Sequence, residues 1–139
     1  MRLVHSIASW IMKKRLHSIE LFMQYPEEVQ GDVLEQLVQC STQTSWGETY
    51  DYSSIKGRGD FVRRVPLQDY KSLEPWITRM MEGERHALWP GKTKWFAQSS
   101  GTSGGPRKFI PVSKESLENC HFKGGKDMLA LYLANHNES

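Results

Sequence analysis

The residues best suited to chemistry lie between positions 99 and 108, where the sequence reads SSGTSGGPRK. The first seven comprise four hydroxyl side chains and three glycines, and the cations Arg107 and Lys108 close the segment. Glycines let backbone N–H groups approach an anion without a Cβ in the way, and successive N–H groups form a concave anion site. Because the hydroxyls add donors and the cations neutralise charge, the segment suits a polyphosphate ligand when it lies between two strands with the cations at its exit. A Ser/Gly hairpin without any ligand is the alternative.

This segment is not a Walker A loop, which requires a glycine, four further residues and then Gly-Lys-Ser/Thr at the start of a helix. The residue six positions after Gly101 is Arg107, and Pro106 precedes it. Residues 91–93 read Gly-Lys-Thr, but His86 stands where the first glycine is required. The predicted phosphate site therefore belongs to another class.

The segment SSGTSGGPRK resembles the phosphate-binding signature of the adenylate-forming enzyme superfamily. Its flanks narrow the resemblance, with VPLQDY at 65–70, LWPG at 88–91 and KFIPVS at 108–113. These flanks are similar to those of the auxin-responsive acyl-acid amido synthetase family, particularly its bacterial branch. The similarity covers most of residues 46–133 and, more loosely, the segment before them.

The resemblance implies a two-step reaction that requires ATP. A carboxylic acid attacks the α-phosphorus to give an acyl-adenylate and pyrophosphate, and an amino acid then attacks the acyl group to form an amide. The resemblance also implies Mg²⁺ with the nucleotide, and it identifies no metal ligand in this segment. The substrates implied are thus a small-molecule carboxylic acid and an amino acid.

The resemblance assigns roles to the polar segment residue by residue. The residues expected to bind the β- and γ-phosphates of ATP are Ser99, Ser100, Gly101, Thr102, Ser103, Gly104 and Gly105. Lys108 aligns best with the signature lysine and is the first candidate for a catalytic cation. In the wider superfamily this lysine directly follows the proline, where this chain has Arg107. Arg107 therefore stays a second candidate for the same role.

The elements that must position this loop begin with helices. Apolar residues at spacings of three and four predict two leading helices within residues 6–44, the second beginning near Pro26. The run Phe61–Val65 predicts a short strand. A further helix is predicted from Pro75 to Gly83, where glycine is a common stop signal.

Two strands and a final helix complete the predicted order. Strands are expected on both sides of the polar segment, which gives a strand-loop-strand core over residues 94–112, and a last helix is expected over 113–134. The predicted fold class is α/β, with helices leading into short strands around a phosphate-binding loop. Two adjacent strands do not make an independently stable sheet. Residues 1–139 are therefore expected to be the N-terminal part of one larger adenylating domain, whose remainder is their partner.

Composition excludes several classes of function. The chain has 18 Lys and Arg against 16 Asp and Glu, and this small excess argues against a nucleic-acid-binding domain. Its apolar runs are shorter than the roughly 18 residues of a membrane span. The basic run 13–15 follows the apolar segment 7–12, which is the reverse of a signal peptide. Cys40 and Cys120 make neither a disulfide framework nor a zinc site. A cytoplasmic protein without a nucleic-acid or membrane partner is expected.

The sequence thus predicts an ATP-dependent ligase that conjugates a carboxylic acid to an amino acid. This chain is expected to carry the phosphate-binding loop and to be inactive without the rest of the domain. The alternative, from a different class, is a small non-enzymatic α-rich interaction module whose Ser/Gly loop is incidental.

Overall fold

The computed structural model describes residues 2–99 and 107–135, apart from the side chains of residues 2–9 and 11. These ranges are mostly helical and include one antiparallel sheet of two strands, which confirms the predicted α/β class. The chain divides into two compact units. One comprises residues 30–114, and the other comprises residues 1–29 together with 115–139.

Helices account for most of the described elements. They are α1 (Arg2–Gln24), α2 (Pro26–Cys40), α3 (Ser45–Thr49), α4 (Arg58–Arg64), α5 (Tyr70–Met81), α6 (Lys114–Ser116) and α7 (Phe122–Asn135). A 3-10 turn, Tyr52–Ser54, lies between α3 and α4, and a π-helical stretch, Leu117–His121, joins α6 to α7. The strands are β1 (Trp95–Gln98) and β2 (Phe109–Val112).

An aromatic cluster forms the core of the unit 30–114. Val38, Trp46 and Tyr52 are buried together, and the indole Nε1 of Trp46 donates to the Tyr52 hydroxyl at 3.0 Å. Trp76 of α5 meets Trp46 edge to face, with ring centroids 5.3 Å apart. Buried aromatic residues stabilise a core most when their polar atoms find partners, as Trp46 and Tyr52 do here. The cluster therefore joins α2, α3 and α5.

Backbone hydrogen bonds fix the start of α3 against the turn at residues 86–87. The Thr44 hydroxyl accepts a hydrogen bond from the Gly47 N–H at 2.9 Å and donates one to the Ser41 carbonyl at 2.7 Å. The N–H groups of Ser45 and Trp46 donate to the carbonyl oxygens of the turn at 2.7 and 3.0 Å. These contacts satisfy donors that the first turn of a helix otherwise leaves unpaired.

The strand predicted over Phe61–Val65 is wrong, because its first four residues lie in helix α4 and Val65 is the C-cap of that helix. Phe61 and Val65 are four positions apart and both half-buried, which is the spacing of one helix face, while Val62 between them is 65% exposed. The charges also suit a helix. Asp60 lies in the first turn and basic residues lie in the last, as the helix dipole favours.

In the unit formed by residues 1–29 and 115–139, the described helices α1 and α7 pack against each other. Arg15 of α1 donates through Nε to Oδ1 of Asp127 in α7 at 2.6 Å, and Ala130 of α7 is fully buried. Other apolar side chains of α7 are exposed to solvent: Phe122, Met128, Leu129, Leu131, Tyr132 and Leu133. Arg15 thus belongs to a helix–helix contact, whereas Lys13 and Lys14 of the same basic run are exposed.

Candidate functional site

The predicted phosphate loop is joined to the fold by β1 and β2, which pair with Gln98 opposite Phe109. One position nearer the loop, the Ser99 N–H donates to the Lys108 carbonyl oxygen at 2.9 Å. This bond holds the two ends of the polar segment together. We call Ser99, Lys108 and Phe109, with the side chain of Tyr70, the neck.

The strands form because their residues suit a half-buried pleated surface. Aromatic and β-branched side chains are enriched in strands, and here Trp95 lies opposite Val112 and Ala97 opposite Ile110. Pro111, opposite Phe96, lacks an N–H and is tolerated in so short a ladder. The strand pair thus gives the loop a defined entry at Ser99 and a defined exit at Lys108.

Tyr70 binds the exit of the loop in two ways. Its hydroxyl oxygen accepts a hydrogen bond from the Phe109 N–H at 2.9 Å. The Lys108 ammonium nitrogen lies 5.3 Å from the centroid of its ring, which is within cation–π range. Tyr70 therefore connects α5 to the backbone of Phe109 and to the ammonium group of Lys108.

A capping box fixes Tyr70 at the start of α5. The Asp69 carboxylate accepts the Ser72 N–H at 2.8 Å, and the Ser72 hydroxyl accepts the Asp69 N–H at 3.1 Å. The hydrogen bond from the Ser72 N–H is the main reason that the pKa of Asp69 lies below its usual value. The carboxylate is thus held in its charged form at the positive end of the helix dipole.

The predicted start of this helix at Pro75 is wrong, since α5 begins at Tyr70. Pro75 lies inside the helix, where its missing N–H removes one backbone hydrogen bond. The tertiary contacts of Trp76 and the cap at Asp69 outweigh that loss.

The predicted site residues fall into two groups. Ser99 is half-buried at the end of β1, and Arg107 and Lys108 are exposed just before β2. The structure brings Ser99 and Lys108 together. The remaining predicted phosphate ligands lie outside the described residues: Ser100, Gly101, Thr102, Ser103, Gly104 and Gly105.

Tyr70 was not among the predicted site residues. The signal that could have found it is Asp69, a preferred N-cap residue, followed three positions later by Ser72. A helix begun there places Tyr70 in its first turn, and Tyr70 is also the last residue of VPLQDY, one of the segments that resemble the amido synthetases.

Within residues 2–99 and 107–135, no group of three or more His, Cys, Asp or Glu side chains is placed to hold a metal ion. In the same part of the chain, no helix combines the length and apolar character needed to cross a membrane.

The family model that matches this chain and several of its relatives carry the name GH3. The family model described as the GH3 family N-terminal domain matches residues 15–139. Indole-3-acetic acid-amido synthetase GH3.5 of Arabidopsis thaliana is 31% identical over 107 residues, covering 76% of this chain and 18% of that protein. The 4-substituted benzoates-glutamate ligase GH3.12 of the same plant is 29% identical over 100 residues, covering 69% and 17%.

A third relative comes from another plant. Jasmonoyl--L-amino acid synthetase JAR4 of Nicotiana attenuata is 24% identical over 105 residues, covering 75% of this chain and 18% of that protein. The chain spans less than one fifth of the length of each of these three relatives.

Proposed function

The chain belongs to the GH3 family, and from this premise we propose that it carries the phosphate-binding loop of an ATP-dependent ligase that joins a carboxylic acid to an amino acid. The printed names of its relatives describe amido synthetases and a glutamate ligase. The observation that carries the proposal is the neck, where the Ser99–Lys108 hydrogen bond brings a hydroxyl residue and a cation together.

In the proposed reaction the substrate carboxylate attacks the α-phosphorus of ATP, and the bond to the bridging oxygen of pyrophosphate breaks. The products are an acyl-adenylate and pyrophosphate. The amino acid's amine then attacks the acyl carbon, AMP leaves, and the amine loses a proton as the amide forms. In the first step negative charge develops on the departing pyrophosphate, so donors and cations fixed around it stabilise the transition state.

We assign the donor role to residues 99–105 and the cation role to Lys108, with Arg107 as the second candidate. Both cations are exposed at the loop exit, so their charges are accessible to a ligand. The hydroxyls, backbone N–H groups and cations of this segment are chemically matched to a polyphosphate anion. Mg²⁺ would enter with the nucleotide and neutralise phosphate charge.

Protection of the loop exit from trypsin by ATP tests the proposal without measuring activity. Trypsin cleaves after Arg and Lys, and Arg107 is exposed. In the full-length protein, ATP with Mg²⁺ is expected to slow cleavage after Arg107. Cleavage after Lys56, an exposed residue in the same unit, is the matched control and should keep its rate.

Two outcomes would contradict the proposal. One is cleavage after Arg107 at the same rate with and without ATP, which favours a non-enzymatic interaction module with an incidental loop. The other is equal protection by sodium sulfate at matched ionic strength, which shows that any anion suffices.

A further inference from the structure

We propose that Tyr70 is a positioning residue for adenylation, which holds Lys108 in place at the neck; this inference rests on the proposed function. Its hydroxyl binds the backbone of Phe109, and its ring lies against the ammonium group of Lys108. Because these two residues are consecutive, one side chain of α5 restrains both the backbone and the cation at the loop exit.

The backbone contact follows from the register of the strands. The hydrogen bond from Ser99 to Lys108 makes these residues a hydrogen-bonded pair, so the next pair, Gln98 and Phe109, directs its N–H groups away from the partner strand. The Phe109 N–H therefore points to the outer edge of the sheet. There the Tyr70 hydroxyl accepts it at 2.9 Å, where a third strand would otherwise supply a carbonyl oxygen.

The ring contact limits the freedom of the cation. A lysine side chain loses more rotamer entropy than most when it is ordered. Lys108 is exposed, and the face of Tyr70 at 5.3 Å favours the rotamers that keep the ammonium group beside the neck. The Lys108 side chain is therefore partly ordered before ATP binds, and less rotamer entropy is lost on binding.

Two substitutions in the full-length protein separate these contacts. Tyr70→Phe keeps the ring and removes the hydroxyl, and it is expected to lower kcat/KM of ATP–pyrophosphate exchange about threefold. Tyr70→Leu removes both and is expected to lower it by about a further threefold. Tyr50→Phe, which removes the hydroxyl of a half-buried tyrosine packed on Trp46, is the matched control and should keep the wild-type rate.

A double-mutant cycle between Tyr70 and Lys108 distinguishes a positioning role of Tyr70 from a merely structural one. If the ring acts through the cation, Tyr70→Phe and Tyr70→Leu should have equal exchange rates in the Lys108→Ala background. Melting curves of every variant show whether a loss of rate reflects a loss of fold.

Each remaining outcome is decisive. Wild-type rates for both Tyr70 variants, with a slow Lys108→Ala, overturn the positioning role and leave the proposed function intact. The same threefold difference between the Tyr70 variants with and without Lys108 overturns it as well. Wild-type rates for Lys108→Ala, Arg107→Ala and both Tyr70 variants contradict the proposed function itself.

Discussion

The N–H of Ser99 donates to the carbonyl oxygen of Lys108 at 2.9 Å. The first residue of the polar segment and its last cation are therefore adjacent across the strand pair. The ends of the intervening loop are thereby closed by the backbone. The loop composition predicts a phosphate site, and the paired strands hold the two ends of the segment on which that prediction falls.

Among the described glycines of the unit 30–114, Gly47 is the one where an added methyl group would meet the closest neighbour. A Cβ there would lie 2.0 Å from the Ser41 carbonyl oxygen, which is itself held by Thr44. Gly47→Ala is expected to destabilise the protein by about 1–3 kcal/mol through overpacking. Urea unfolding measures the effect.

Gly31→Ala is the matched control for this prediction, because the added Cβ in α2 would have no neighbour within 4 Å. Replacing an exposed helix-interior glycine is expected to stabilise by about 0.5–1 kcal/mol. Equal effects of the two substitutions would show that the packing around Gly47 is looser than described.

Arg15 and Asp127 are expected to be coupled. Their side chains are 18% and 27% exposed and form an ion pair between α1 and α7. A double-mutant cycle with Arg15→Ala and Asp127→Ala should give a coupling free energy of about 0.5–1 kcal/mol, falling at high salt. Lys13→Ala, an exposed change on the same helix, should show no coupling to Asp127→Ala. Strict additivity of the Arg15 and Asp127 substitutions would contradict the pairing.

Asp69 is expected to make the free energy of unfolding depend on pH in the acidic range. Its pKa is lowered in the folded state, chiefly by the Ser72 N–H, so its contribution is present above the ordinary carboxylate pKa of about 3.9 and is lost as pH falls through the folded pKa. Asn also caps helices but does not titrate. The Tm advantage of the wild type over Asp69→Asn should therefore shrink as the pH is lowered below about 4. An advantage that stays constant with pH would show that charge at the cap is unimportant.

The sequence alone predicts some of these features better than others. The leading helices and the strands beside the loop have clear periodicity or composition, and their residues do form such elements. The sequence predicts a strand over Phe61–Val65 because aromatic and β-branched residues favour strands, whereas the burial of Phe61 and Val65 on one side follows the helical spacing of four. Tyr70 was missed because its role depends on β2, 39 residues later in the chain.

The isolated 139-residue chain is expected to show no ATP–pyrophosphate exchange. Adenylation requires contacts to adenine, ribose, Mg²⁺ and the acyl substrate in addition to one phosphate loop. The chain spans 18% of the length of indole-3-acetic acid-amido synthetase GH3.5, so most of that relative has no counterpart in it. Exchange by the purified chain above that of a variant lacking residues 100–106 would contradict this prediction.

The most direct measurement is the ATP–pyrophosphate exchange rate of Lys108→Ala in the full-length protein. Loss of a cation that acts on developing pyrophosphate charge should lower the rate by about 10²–10³. Arg107→Ala should lower the exchange rate less than Lys108→Ala does. Thr102→Ala should also cost less than Lys108→Ala, since a neutral hydroxyl is about half as strong a partner. Lys94→Ala, which removes an exposed lysine before β1, should leave the rate unchanged. A wild-type rate for Lys108→Ala with a slow Arg107→Ala would move the catalytic role to Arg107, and wild-type rates for both would contradict the phosphate site.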